Sequence, residues 1–171
     1  MDRILCQLRH CLAHSGIFAL LVIHLVLGIA TAFEKPLGEA PDEVAHFTAV
    51  NFIAREGRLP TSYEDRDEAG RKSDWPLLYH AIVGSIVGHI DDSDLPTTKL
   101  QDRTLEQVLI TNEISPFVLV HTLDEVFPYR GAVLRWRIAR IVSILIGACT
   151  LAVVYLTGLQ VFRGNRWLSL A

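Results

Sequence analysis

SGIFALLVIHLVLGIATAF, residues 15–33, decides the fold class. It holds 19 residues, with His24 as its one ionisable side chain. At about 1.5 Å per residue that length crosses a hydrocarbon core of roughly 30 Å. A second block, IVSILIGACTLAVVYLTGLQVF at residues 141–162, carries no charge and reads as a second span. Between them the chain is polar and mixed. Half of the 171 residues are hydrophobic, and their concentration near the two ends is the distribution of a membrane protein rather than of a soluble core. A cleaved signal peptide shares the basic start at Arg3 and Arg9. Its apolar core usually stops at about 7–15 residues, however, and Ala30-Thr31-Ala32 is a faint cleavage signal. The reading is an uncleaved signal-anchor.

Basic residues set the orientation. Arg3 and Arg9 precede the first span, and Arg163 and Arg166 follow the second. Residues 1–14 and 163–171 are therefore expected in the cytoplasm. Residues 34–140 then form an extracytoplasmic loop. From Glu34 to Arg137 it holds 18 acidic against 11 basic residues. Arg135, Arg137 and Arg140 crowd the outer end of the second span, where they suit either interfacial snorkelling or an anionic group. The net charge is -3 with no basic stripe, which argues against nucleic acid as a partner. Cys6, Cys11 and Cys149 show no metal-type spacing and no disulfide framework.

Within the loop, PDEVAHFTAVNFIAREG predicts a helix over about 41–56. Pro41 suits its first position, Asp42 and Glu43 its positive N-terminus, and Gly57 its end. Val44, Phe47, Val50, Ile53 and Ala54 recur at helical spacing, so this helix can lie on the membrane interface. Residues 58–74 are highly charged and read as a mobile, solvated surface loop. WPLLYHAIVGSIVGHI predicts a second apolar helix over about 76–90, short for a span and better suited to an interfacial, buried or re-entrant position. The DDSD stretch at 91–94 has turn chemistry. A short helix at 104–112 and an extended segment at 117–122 complete the expectation.

Asp42 and His46 are four apart and share a helix face, where a carboxylate can act as a general base or bind a cation with the imidazole. The simpler reading is that Asp42 and Glu43 complement the helix dipole. Tyr79 and His80 read as interfacial anchors or as substrate contacts. His24 reads as a neutral side chain facing a neighbouring helix, with function as the other possibility. Gly-rich phosphate loops, H-E-x-x-H and G-x-S-x-G are all missing from the sequence.

The order of motifs carries a resemblance. A first span is followed by P-D-E-V-A-H-F, then G-R-L-P, then W-P-L-L-Y-H, then R-I-A-R-I-V-S-I-L-I-G-A-C-T-L-A-V-V-Y-L. Over residues 16–162 this resembles the start of GT-C superfamily membrane glycosyltransferases, closest to the bacterial family related to protein mannosyltransferases and lipid A aminoarabinose transferases. The resemblance implies a catalytic carboxylate just after the first span, at Asp42 with Glu43 beside it. It implies a polyprenyl-phosphate sugar donor and an acceptor on the outer face of the inner (plasma) membrane. The substrate-binding residues expected on this reading are His46, Tyr79, His80, Arg137 and Arg140. A divalent metal requirement stays open, and no metal ligand is assigned. Trp75 stands where a proline is frequent in the family and His80 where an aromatic is common, so the sugar and the acceptor stay open too.

The expected architecture is thus all-α: two transmembrane helices flanking a large outward loop with interfacial helices, the N-terminal part of a polytopic GT-C fold and inactive alone. The alternative is a non-enzymatic two-span membrane protein whose outer loop senses or binds a partner.

Overall fold

The computed structural model describes residues 15–93, 121, 125–162 and 169–170. The described residues form five helices and no strand: α1 (Ser15–Glu34), α2 (Glu43–Glu56), α3 (Tyr63–Ala69), α4 (Leu78–Val87) and α5 (Gly131–Val161). The segments expected at 104–112 and 117–122 lie outside the described residues, His121 excepted, as do 1–14 and most of 163–171. The chain divides into two units, residues 1–32 with 141–171, and residues 33–140.

In the first unit, α1 and α5 are both long and apolar enough to cross a membrane. Their outward side chains, among them Phe18, Ile23, Val26, Val153 and Leu156, are exposed. Small residues bring the two helices together. A Cβ on Gly28 would lie 3.0 Å from Ile144, and one on Gly147 would lie 2.8 Å from the His24 ring. His24 Nε2 lies 3.0 Å from the Ile144 carbonyl of α5, as expected for a histidine facing a neighbouring helix. The hydroxyls of Thr31, Thr150 and Thr157 donate to carbonyls one turn back, so none is left bare on an apolar surface.

α5 begins ten residues before the expected span, at Gly131. Its first turns belong to the second unit and carry Arg135, Arg137 and Arg140. That unit is built around α2. Gly57, in the left-handed region at φ 65°, ends α2 with its N–H donated to the Ile53 carbonyl at 2.9 Å, as the sequence predicts. The start differs: α2 begins at Glu43, with Asp42 as its N-cap and Pro41 outside it.

α4 presses on α2 through Gly84 and Gly88. A Cβ on Gly84 would come within 2.8 Å of Ile53, and one on Gly88 within 3.1 Å of the Ala54 carbonyl. His80, Val83, Gly84 and Val87 are buried on that face, while Leu78, Ile82 and Ile86 stay exposed on the other. Phe47 stacks on Trp136 at 4.0 Å, and with Leu37 and Val133 they make one apolar cluster; Phe52, Ile53 and Ala69 make another.

The charged stretch at 58–74 is largely exposed, as expected, but it is not a loop throughout. Ser62 and Asp65 form a reciprocal capping box that starts α3. Arg58 and Arg55 pair with Asp65 and Glu68 respectively, and Ala69 is fully buried. The acidic run reads as a loop when counted by charge, but the Ser-x-x-Asp spacing specifies a helix start. The turn chemistry at 91–93 is borne out: Ser93 donates its backbone N–H and its hydroxyl to the Asp91 carboxylate.

Candidate functional site: the Asp42 cluster

Asp42 is the one described non-glycine residue with a positive φ (61°), in the left-handed region that Asp and Asn tolerate better than most residues. Its side chain does not cap α2. The carboxylate instead accepts from Arg71 on one oxygen and from Lys72 Nζ at 2.9 Å on the other. Asp42 thus stands at the positive end of α2 without capping it, and its hydrogen bonds go to the two cations. The two cations come from the turn after α3. There Gly70 adopts φ 75° and ψ -179°, a backbone region open essentially to glycine alone. The Lys72 hydrogen bond, with Arg71 nearby, holds the Asp42 carboxyl below the usual carboxylate range, so it is ionised at neutral pH.

The two partners differ in access. Lys72 is buried, its ammonium 3.5 Å from the centroid of the Trp75 ring, a cation–π contact. The Arg71 side chain is 71% exposed, and that of Asp42 is 42% exposed. Both border an open concavity of about 610 Å³ that also meets Gly38, Ala45, Thr48 and Gly70.

Glu43 has a different fate. Arg140 grips it with two bonds, Nε to Oε1 at 2.5 Å and Nη2 to Oε2 at 2.8 Å. Oε2 also accepts the Gly38 N–H at 2.9 Å. Arg140 further donates to the carbonyls of Lys35 and Pro36. Burial pushes the Glu43 carboxyl up, but the Arg140 hydrogen bonds and charge outweigh it, and the net shift is downward. Glu43 and Arg140 thus form a clamp that fixes the entry turn of α2.

The other two arginines are placed in the same way. Arg137 is buried against Glu125 at 3.0 Å and lies over the rings of Phe33 and Tyr129. Arg135 is buried and bonds to Asp92, Asn51 and the Ile90 carbonyl. Each arginine of the cluster read as interfacial or anion-binding faces a carboxylate of the loop.

His46 sits one turn into α2. Its Nδ1 lies 2.9 Å from His80 Nε2 on α4, with the rings within 17° of parallel. Trp75 and Tyr79 meet the His46 ring edge-on at 6.0 and 6.5 Å. The Tyr79 hydroxyl donates to the Ala139 carbonyl at 3.4 Å. Burial lowers the affinity of His46 for a proton; Lys72 and Arg71 add to this, while Asp42 opposes it. His80 is buried, and that burial, with His46 and Lys72 nearby, pushes it down to about 4.

Of the residues singled out from the sequence, Asp42, His46, Tyr79 and His80 are brought together. Glu43 and Arg140 pair beside them, and Arg137 is committed elsewhere. Arg71, Lys72 and Trp75 were missed as site residues. The legible signal was Gly70-Arg71-Lys72, a basic pair behind a glycine that interrupts an acidic run directly before the Trp75 segment. Among the described residues, no group of three or more His, Cys, Asp or Glu side chains is placed to hold a metal ion.

No family model, curated protein or solved structure matches this chain.

Proposed function

We propose that this chain is the N-terminal part of a membrane glycosyltransferase of the GT-C type. On this reading the complete enzyme transfers a sugar from a polyprenyl-phosphate donor to an acceptor hydroxyl on the outer face of the inner membrane. The observation that carries the reading is Asp42: an exposed, ionised carboxylate eight residues beyond α1, at the rim of a concavity, with two cations at hand. The acceptor oxygen attacks the anomeric carbon of the sugar, and its proton passes to the Asp42 carboxylate. The bond between that carbon and the phosphate oxygen breaks, and polyprenyl phosphate leaves with the electron pair.

Arg71 and Lys72 supply positive charge for the departing phosphate. Their present bonds to Asp42 make it a weak base. Turning Arg71, the more exposed partner, toward a phosphate raises the basicity of Asp42 at the moment a donor is bound. Glu43, locked to Arg140, holds the turn that aims Asp42. The GT-C resemblance and the two apolar helices support the placement at a lipid bilayer.

The test is Asp42→Asn in the complete protein, reconstituted in liposomes and supplied with a panel of polyprenyl-phosphate sugars, reading released polyprenyl phosphate. Asparagine keeps the left-handed backbone and removes the base. Loss of transfer with unchanged insertion is the expected result. Near-normal transfer by the variant removes Asp42 from the mechanism.

A second reading is a non-enzymatic two-span protein with a partner-binding loop. It is favoured by the pairing of Asp42 with two cations, an arrangement that also suits purely structural work. The absence of turnover with every donor in the complete wild-type protein selects it.

A further inference from the structure

We propose that His80 is a positioning residue that locks His46 in the tautomer protonated on Nε2, so that His46 offers a ligand a neutral hydrogen-bond donor and does not act as a base. Only one proton fits between His46 Nδ1 and His80 Nε2 at 2.9 Å. Two arrangements of a neutral pair are available.

In the first, His46 Nδ1 donates. The proton of His80 then sits on its own Nδ1, a buried atom with no hydrogen-bond partner. That arrangement strands a buried N–H, which folded proteins avoid most strictly. It also puts both rings in the intrinsically less stable imidazole tautomer. In the second, His80 Nε2 donates to His46 Nδ1. The buried His80 Nδ1 is then a bare nitrogen, and both rings hold their protons on Nε2, the intrinsically preferred position. The second arrangement wins on both counts.

The consequence falls on His46 Nε2. This atom is not among the buried unsatisfied groups, and His46 is half-buried, so its N–H reaches solvent. The charged and titratable groups around the pair are Asp42 from the cap of α2, Arg71 and Lys72 from the turn after α3, and Tyr79 beside His80 on α4. Burial and the two cations disfavour an imidazolium, in line with a ring that stays neutral and donates. The ligand chemistry that fits is an acceptor oxygen, whether of a sugar hydroxyl, an ester or a phosphate. That such an oxygen belongs to a glycosyl donor rests on the transferase reading; the tautomer does not.

The experiment is nitrogen-15 NMR of the full chain in nanodiscs at pH 7, with labelled histidine and with His46→Gln and His80→Gln used for assignment. Both rings should show a protonated Nε2 and a bare Nδ1. A proton on Nδ1 of either ring overturns the proposal. His80→Gln should keep the His46 tautomer, because the glutamine amide can still donate to Nδ1. His80→Leu should let a measurable population of the Nδ1-protonated form appear at His46. If His46 stays wholly Nε2-protonated in His80→Leu, His80 does not set it. If the leucine variant does not fold, the wild-type spectrum still decides which nitrogens carry the protons. A tautomer as proposed, together with silence of the complete protein in the turnover assay, leaves the lock standing and removes only the glycosyl ligand.

Discussion

Replacing Glu43 by alanine removes the acceptor for three donors at once: Arg140 Nε, Arg140 Nη2 and the Gly38 N–H. Arg140 keeps the Lys35 and Pro36 carbonyls at 2.7 Å, so its guanidinium is not stripped of partners. The loss should therefore fall below the ~3–5 kcal/mol of breaking a fully buried pair. Hydrogen bonds to charged groups contribute about 1.5–3 kcal/mol. A local destabilisation of about 2–3 kcal/mol follows, which is roughly 30- to 150-fold in the opening equilibrium of the turn. Amide hydrogen exchange of the full chain in nanodiscs, followed at Gly38, reads that number directly. Glu43→Gln should lose less, since its amide oxygen still accepts one bond. Asp42→Asn is the internal comparison: the Asp42 carboxylate takes no backbone N–H, so Gly38 protection should stay as it is. Unchanged Gly38 exchange in Glu43→Ala would refute the clamp.

Gly70→Ala should cost about 1–3 kcal/mol, because its φ and ψ suit glycine alone; the nearest atom, Thr48 Cγ2 at 3.4 Å, leaves room for the methyl. Relaxation of that turn should withdraw Lys72 from the Trp75 ring, seen as a changed Trp75 emission. His80 has its affinity for a proton lowered from the ordinary 6.5 to about 4, so the unfolded chain binds that proton first. The stability it contributes is present above about 6.5 and is lost as pH falls toward 4, by up to about 3 kcal/mol. His80→Gln should flatten the fall in thermal midpoint across that window. For topology, Tyr63→Cys in a background with Cys6, Cys11 and Cys149 replaced by serine should react with a membrane-impermeant maleimide added outside; labelling only from the cytoplasmic face would reverse the proposed orientation.

The helices were legible where one cue dominated. Unbroken apolar length marked α1 and the apolar half of α5, and Gly57 marked the end of α2. Boundaries failed where two cues competed. Pro41 and the acidic pair after it argued for a helix start at 41, but Asp42 takes a left-handed backbone and delays the start to Glu43. The hydropathy of α5 begins at Ile141, while the helix begins at Gly131, because Ala132, Val133, Trp136 and Ala139 bury one face and the arginines between them are paired. Hydropathy alone cannot see such a segment, since three arginines mask four buried apolar positions.

The site was half legible for a related reason. A pattern in sequence reports neighbours on one helix face, so Asp42 and His46 emerged as a pair, four residues apart. Their actual partners lie some 30 residues away: Lys72 for Asp42 and His80 for His46. Nothing in local spacing distinguishes Lys72 from a solvated lysine, and only the packing of the turn after α3 buries it against Trp75. By spacing alone Asp42 and Glu43 cannot be told apart, and it is the resemblance that singles out Asp42. They are adjacent in a helix start, equally acidic and equally suited to its dipole. Asp42, left-handed at the N-cap, and Glu43, the first residue of α2, then diverge: one carboxylate goes to Arg71 and Lys72 and the other to Arg140. Which of the two is more accessible for chemistry is thus decided by where the cations of distant segments fall: both carboxylates border the concavity, but the Asp42 side chain is 42% exposed and that of Glu43 14%.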